Sequence, residues 1–276
     1  MTANQAIAYC PQAEDNSIES DKLVFQLLRQ KLNSDRLAMS AALTQGARKL
    51  SLAGLRKTFS DLETDEFSRK VAFIWLGHRW PDGFCPKGEP MTWIQDSVQL
   101  AKQLHPIFER IGIPYYITGG VAASTYGDPR TTRDLDIVIN IDRSDIELLA
   151  ETLEQEGFYV PGVEDVMSER MRTLQIIHTE SVLQADLVIS GGSDWDLLKF
   201  QRRQLTDDLY FASPEDVILN KLRWRLRSQS EKQWRDVLGV LKVQGTQLDF
   251  DHLQQWAAQM ELNEDLNRAM GEAGLA

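Results

Sequence analysis

The run Asp134-Leu135-Asp136-Ile137-Val138-Ile139 constrains this chain more than any other. Successive side chains of a strand point to opposite faces. Asp134 and Asp136 therefore share one face, and Leu135, Ile137, Ile139 and Ile141 share the other. Burying four aliphatic groups on one side holds the two carboxylates rigidly on the opposite side. Their Cα atoms are about 7 Å apart, two rises of a strand. Like charges at that spacing repel unless a cation lies between them. Mg²⁺ suits the position, because it is hard and takes one or two carboxylates together with substrate phosphates. A third carboxylate from a neighbouring strand would complete a two-metal site able to align an attacking hydroxyl and a leaving pyrophosphate. Asp186 in Leu183–Ile189 is the first choice, since it shares a strand face with Gln184; Glu180 is the second. Asp194 and Asp196 also form an Asp-x-Asp, but they follow Gly191-Gly192 and read as loop or helix-start residues.

Upstream, Gly119-Gly120 stands between a short apolar run, Tyr115–Thr118, and a stretch of small residues. A glycine turn leading from strand to helix lets backbone N–H groups approach a phosphate at the helix N-terminus. Arg130 and Thr132 then offer a guanidinium and a hydroxyl to phosphate oxygens just before the acidic strand.

Around this unit the pattern predicts an α+β chain: a small mixed β-sheet with flanking helices, a helical N-terminal region and a C-terminal helical bundle. Residues 1–20 are polar and read as a disordered arm. Residues 21–90 repeat apolar positions three and four apart and read as helices. Ser60/Glu63 and Ser144/Glu147 have the spacing of capping boxes. The turn-rich stretch 78–90 marks a boundary, with the sheet-bearing region over 91–200 and a helical region over 201–276. Ser213-Pro214-Glu215-Asp216 combines a cap, a proline at the first position and acids in the first turn, and predicts a helix start. Trp224, Trp234 and Trp256 read as anchors between the last helices.

Charge and composition narrow the function. A formal net charge of −11 over 276 residues argues against a protein that coats nucleic acid non-specifically. Residues 199–242 depart from this, with ten Lys/Arg against six Asp/Glu, which reads as a solvated helix face. No apolar run is long enough to span a bilayer. The start lacks the pattern of a signal or transit peptide. With only Cys10 and Cys85 there is no disulfide framework, and a cytoplasmic location is expected. The four histidines show no metal-ligand spacing, and there is neither a P-loop nor a Gly-x-Ser-x-Gly nucleophile.

Gly119, Gly120, Ala122, Tyr126, Gly127, Arg130, Thr132, Asp134 and Asp136 follow the order Gly-Gly-x-Ala, then Tyr-Gly-x-x-Arg-x-Thr-x-Asp-x-Asp. In this the chain resembles the nucleotidyltransferase superfamily with a DNA-polymerase-beta-like palm. It is most similar to the minimal and abortive-infection toxin-type branch. The resemblance covers residues 112–190 and, more loosely, continues to about 260. It implies transfer of a nucleoside monophosphate from ATP or another NTP to a hydroxyl of an RNA, protein or small-molecule acceptor. It also implies Mg²⁺ held by Asp134 and Asp136, with the third metal-binding and catalytic position on Asp186. In the toxin branch a lysine early in a downstream helix precedes an Arg-Asp pair; Lys221 and Arg235-Asp236 match loosely, and Lys221 is the corresponding phosphate contact. Many minimal members carry Gly-Ser where this chain has Gly119-Gly120, so that hydroxyl is absent. The alternative is a non-catalytic nucleotide-binding or partner-binding module of a toxin–antitoxin type system, with a small protein partner.

Overall fold

The computed structural model describes residues 8–275. In chain order its elements are α1 (Ile18–Arg29), α2 (Asn33–Thr58), α3 (Thr64–Leu76), α4 (Ser97–Arg110), β1 (Tyr115–Ile117), α5 (Gly119–Tyr126), β2 (Asp134–Ile139), α6 (Ile146–Gln155), β3 (Phe158–Tyr159) and α7 (Val163–Met167). There follow β4 (Thr173–His178), β5 (Leu183–Ile189), α8 (Asp194–Arg202), β6 (Gln204–Thr206), β7 (Leu209–Phe211), α9 (Pro214–Ser228), α10 (Glu231–Gln244), α11 (Phe250–Gln259) and α12 (Asn263–Ala273). The class is α+β, as the sequence pattern predicts. No helix among the described residues is long and apolar enough to cross a membrane.

Contacts gather the chain into two compact units whose limits differ from the sequential partition that the turn signals predict. One comprises the residues up to Met39, Thr118–Pro129, and Gln201 onward; the other comprises Ser40–Ile117 and Arg130–Phe200. The stretch 78–90 lies inside the second unit, not at its edge. The reason is packing: Phe84 and Trp93 are buried in one cluster with Leu52, Val71, Ala72, Leu76, Ile177 and Val182.

In the first unit, α9 begins as predicted, with the Ser213 hydroxyl accepting from the Asp216 N–H and proline in the first turn. Trp234 is buried and donates its indole N–H to Glu272 at 2.7 Å. Trp224 departs from its expected core role: it projects from α9 at 60% exposure. Of the arm expected to be disordered over residues 1–20, residues 1–7 lie outside the described residues. The remainder is tied down. The Cys10 N–H donates to the Glu272 carbonyl at 2.9 Å, the Tyr9 hydroxyl to Asp21 at 2.6 Å, and the Gln12 side-chain amide to the Arg235 carbonyl at 2.8 Å. The polar composition that suggests an arm supplies these hydrogen bonds instead. Within this unit α5 closes against α10 at Gly127. A Cβ there would lie 2.8 Å from the Gly239 carbonyl carbon and 2.8 Å from the Val240 nitrogen, so the position excludes any larger residue.

The second unit is built on strands in the order β3-β4-β5-β2-β1. The β2–β5 pair is parallel and its neighbours are antiparallel, which makes the sheet mixed. On one face Leu135, Ile137, Ile139, Ala185 and Leu187 are buried. Helix α4 covers that face, contacting both β2 and β5. It buries Leu100, Ala101, Leu104, Ile107 and Phe108, and starts at Asp96, whose carboxylate accepts from the Val98 and Gln99 N–H groups. Neither predicted capping box forms. Helix α3 starts only at Thr64, with Ser60 hydrogen-bonded to Asp61, and Ser144 lies in a 3-10 turn, Arg143–Asp145, ahead of α6. In both cases the chain enters its helix later than the box would place it.

Candidate active site

Parallel pairing of β2 with β5 sets the geometry of the acids. Asp136 stands directly opposite Asp186, and Asp134 opposite Gln184. Side-chain alternation then places Asp134, Asp136, Gln184 and Asp186 on the sheet face away from the α4-covered core. Burial follows the same alternation: the three acids are half-buried, whereas Leu135, Ile137 and Ile139 are buried. The Gln184 amide donates to Asp134 at 2.8 Å and so fixes the rotamer of that carboxylate. Antiparallel β4 places Gln175 on the other flank of Asp186.

A residue that no sequence motif singles out enters at this face. Helix α3 ends at Gly77, and a 3-10 turn, Gly77–Arg79, follows. Arg79 reaches the acids from there, its guanidinium donating to Asp186 at 2.7 Å and standing 3.7 Å from Asp134. Its backbone is held on both sides: the Gln175 amide donates to the Arg79 carbonyl, and the neighbouring Trp80 ring packs against Phe73 and Phe84 at 5.7 and 5.3 Å. No spacing links residue 79 to residue 186, so only a whole-chain expectation of a countercharge could have pointed to it.

The loop leading into β2 is held by α2. The Ser40 hydroxyl donates to the Arg130 carbonyl at 2.7 Å, and the Thr132 N–H donates to the Thr44 hydroxyl at 3.2 Å. The Thr132 hydroxyl, expected at phosphate, donates to the Asp134 carbonyl at 3.2 Å and thereby fastens the strand start. The Arg130 guanidinium is partly exposed and donates to the Thr131 carbonyl at 3.1 Å. Glu180, the second choice for third acid, lies exposed in the turn between β4 and β5 and is not on a strand face. Ser193 caps α8, its hydroxyl accepting from the Asp196 N–H at 3.2 Å, and the Asp196 carboxylate accepts in return from Ser193 and pairs with Lys199 at 2.8 Å, in keeping with a helix-start role.

Three expected phosphate contacts, Gly119, Gly120 and Lys221, belong to the other unit. Gly119 has φ +64°, a left-handed conformation that favours glycine, and it opens α5, whose start no side chain caps. Lys221, placed at phosphate by the resemblance, is only 5% exposed. Its ammonium pairs with Asp236 at 2.7 Å and donates to Gln233 at 2.9 Å, so the structure brings the lysine and the Arg-Asp motif together with each other.

The donor set fits a divalent cation in kind: three hard carboxylates on one face of adjacent strands. Among the described residues, however, no group of three His, Cys, Asp or Glu side chains is gathered closely enough to hold a metal ion. Two of these carboxylates, Asp134 and Asp186, face the Arg79 guanidinium at 3.7 and 2.7 Å.

No known family profile matches the sequence, and no curated protein matches it. Solved nucleotidyltransferase structures are similar to it. One is an antigenic nucleotidyltransferase-like protein from Paracoccidioides brasiliensis, at 18% identity over 63% of this chain and 92% of that chain, with a TM-score of 0.42. Another is ANT(2'')-Ia in complex with adenylyl-2''-tobramycin, at 14% identity over 60% and 98%, with a TM-score of 0.44. A third is a CCA-adding enzyme with CTP, at 15% identity over 59% and 46%, with a TM-score of 0.31.

Proposed function

We propose that this protein is a divalent-metal-dependent nucleotidyltransferase that moves a nucleoside monophosphate from an NTP to an acceptor hydroxyl. The observation that supports the reading best is the parallel register that sets Asp136 against Asp186 with Asp134 on the same face. In such a transfer the acceptor oxygen attacks the α-phosphorus, the bond to the bridging oxygen breaks, and pyrophosphate leaves. Asp134 and Asp136 would hold Mg²⁺, which, when bound, neutralises charge on the phosphates and on the leaving group. Asp186 would take the proton of the acceptor hydroxyl and complete the carboxylate set. Arg130 would offer a guanidinium to phosphate oxygens. Thr132 would act from behind, holding the carbonyl of Asp134, while Lys221 stays with Asp236. Most of the rate would come from alignment and charge neutralisation.

The test is incubation with labelled ATP, CTP, GTP or UTP, Mg²⁺ and candidate acceptors: RNA, protein and amino-sugars. Label is expected on one acceptor class, with a loss of roughly 10²–10³ in rate for Asp134→Ala, the scale of removing one strong electrostatic contact in a reacting site. If no label moves and Asp134→Ala alters neither NTP nor metal binding, the reading is wrong. The closure of Arg79 on two of the three acids favours a second reading, a nucleotide-binding or partner-binding module without chemistry. Under that reading the protein binds NTP equally with and without Mg²⁺.

A further inference from the structure

We propose that Arg79 is a resident countercation of Asp134 and Asp186, so that a divalent metal taken up by these two acids displaces its guanidinium; this rests on the nucleotidyltransferase reading above. Three observations carry it. Arg79 bridges Asp134, which the proposed reading gives to the metal, and Asp186, which completes the carboxylate set. A guanidinium matches carboxylates through paired N–H donors and keeps its charge at any working pH, so it stands in for a cation whenever none is bound. The contact is also built to open at the side chain alone. The backbone of residues 77–80 is pinned, by the Trp80 N–H donating to the Gly77 carbonyl at 3.2 Å and by the rings of Phe73 and Phe84 around Trp80. The Arg79 side chain itself is 25% exposed, so water reaches it and it can swing away without unpacking the turn.

Helix α3 and the turn after it thereby gain a function within their unit: they present a cation to the acids. An empty acid face would be held together by Arg79, and a filled one would release the guanidinium beside the phosphates of an arriving nucleotide. An arginine that only stabilised the fold would not compete with metal, and this is the point of separation.

The experiment measures Mn²⁺ binding to the full chain without nucleotide, by calorimetry and by loss of the free-Mn²⁺ spin-resonance signal. Arg79→Gln is expected to bind Mn²⁺ about tenfold more tightly than the unaltered protein, the equivalent of about 1.4 kcal/mol. Arg79→Lys, a point charge without the paired donors, is expected to fall between the two, and it carries the test if Arg79→Gln does not fold. Asp186→Asn abolishes the difference. Equal or weaker Mn²⁺ binding by the Arg79 variants, with the unaltered protein binding normally, overturns the proposal and leaves the nucleotidyltransferase reading standing. Absence of Mn²⁺ binding from all the proteins, together with no label transfer, overturns both.

Discussion

Two ion pairs, one in each unit, use the same chemistry to different ends. In the first unit Lys242 donates to Asp21 at 2.8 Å, and both side chains are only 1% exposed. The Asp21 carboxylate also accepts from the Tyr9 hydroxyl and the Gln12 N–H, and the Lys242 ammonium also donates to the Cys10 carbonyl. Tyr9 and Phe25 offer ring faces to the ammonium at 4.4 and 4.8 Å. In the second unit Arg79 pairs with Asp186 at 2.7 Å, but the partners are 25% and 18% exposed. A charge pair sealed from water cannot exchange a partner without stranding the other charge, whereas a pair that water reaches can. Burial, more than distance, separates a structural ion pair from a replaceable one.

Asp21→Asn removes the carboxylate that a buried ammonium depends on, and a loss of about 3–5 kcal/mol is expected, the usual cost of leaving one buried charge uncompensated. Urea unfolding of the purified variant measures it. A loss below about 1 kcal/mol would mean that the Cys10 carbonyl and the two rings suffice for the ammonium.

The same pair predicts a dependence on pH. Burial pushes the Asp21 carboxyl upward, but the hydrogen bonds from Lys242, Tyr9 and the Gln12 N–H outweigh it and hold the group below its ordinary 3.8. A carboxylate depressed on folding contributes its full stability above its unfolded pKa and loses it as pH falls through the folded value. The urea midpoint of the unaltered protein should therefore exceed that of Asp21→Asn by a constant margin above about pH 3.8, and the margin should narrow below it. A margin that stays flat down to about pH 2, well under the ordinary carboxylate range, would contradict this account.

Smaller effects are expected around the acid face. Thr44→Val removes the hydroxyl that accepts from the buried Thr132 N–H, and a loss of about 1–3 kcal/mol follows from an unsatisfied buried donor. If α2 positions the β2 loop as described, the same variant lowers Mn²⁺ affinity; unchanged affinity would restrict Thr44 to a stabilising role. Arg79→Gln should cost least, about 1 kcal/mol or below, and less still at high salt, because its partners are partly hydrated. A cost comparable to that of Asp21→Asn would erase the distinction between the two pairs.

Part of this arrangement is legible in short stretches of sequence. The alternation in Asp134–Ile139 puts two carboxylates on one face, and the same pattern in Leu183–Ile189 singles out Asp186. The start of α9 is equally plain, because a serine cap followed by proline acts within a single turn. The two capping boxes do not form although their spacing is right: Ser60 and Ser144 turn to the adjacent Asp61 and Asp145, and the helices begin at Thr64 and Ile146. Lys221 has the motif position of a phosphate contact, whereas its ammonium is drawn to Asp236, a partner on another helix.

By itself, then, the sequence determined what depends on neighbours a few residues apart: strand faces, helix periodicity, the glycine turn and the kinds of ligand the acids could bind. Tertiary structure decided the rest. The parallel register that sets Asp136 opposite Asp186 joins strands far apart in the chain, and the approach of Arg79 to Asp186 spans 107 residues. Such contacts come from burying apolar surface at a distance, through α4 beneath the sheet and through Trp80, Phe84 and Trp93 beside the turn. No local pattern records which charge that burial will bring to the acids.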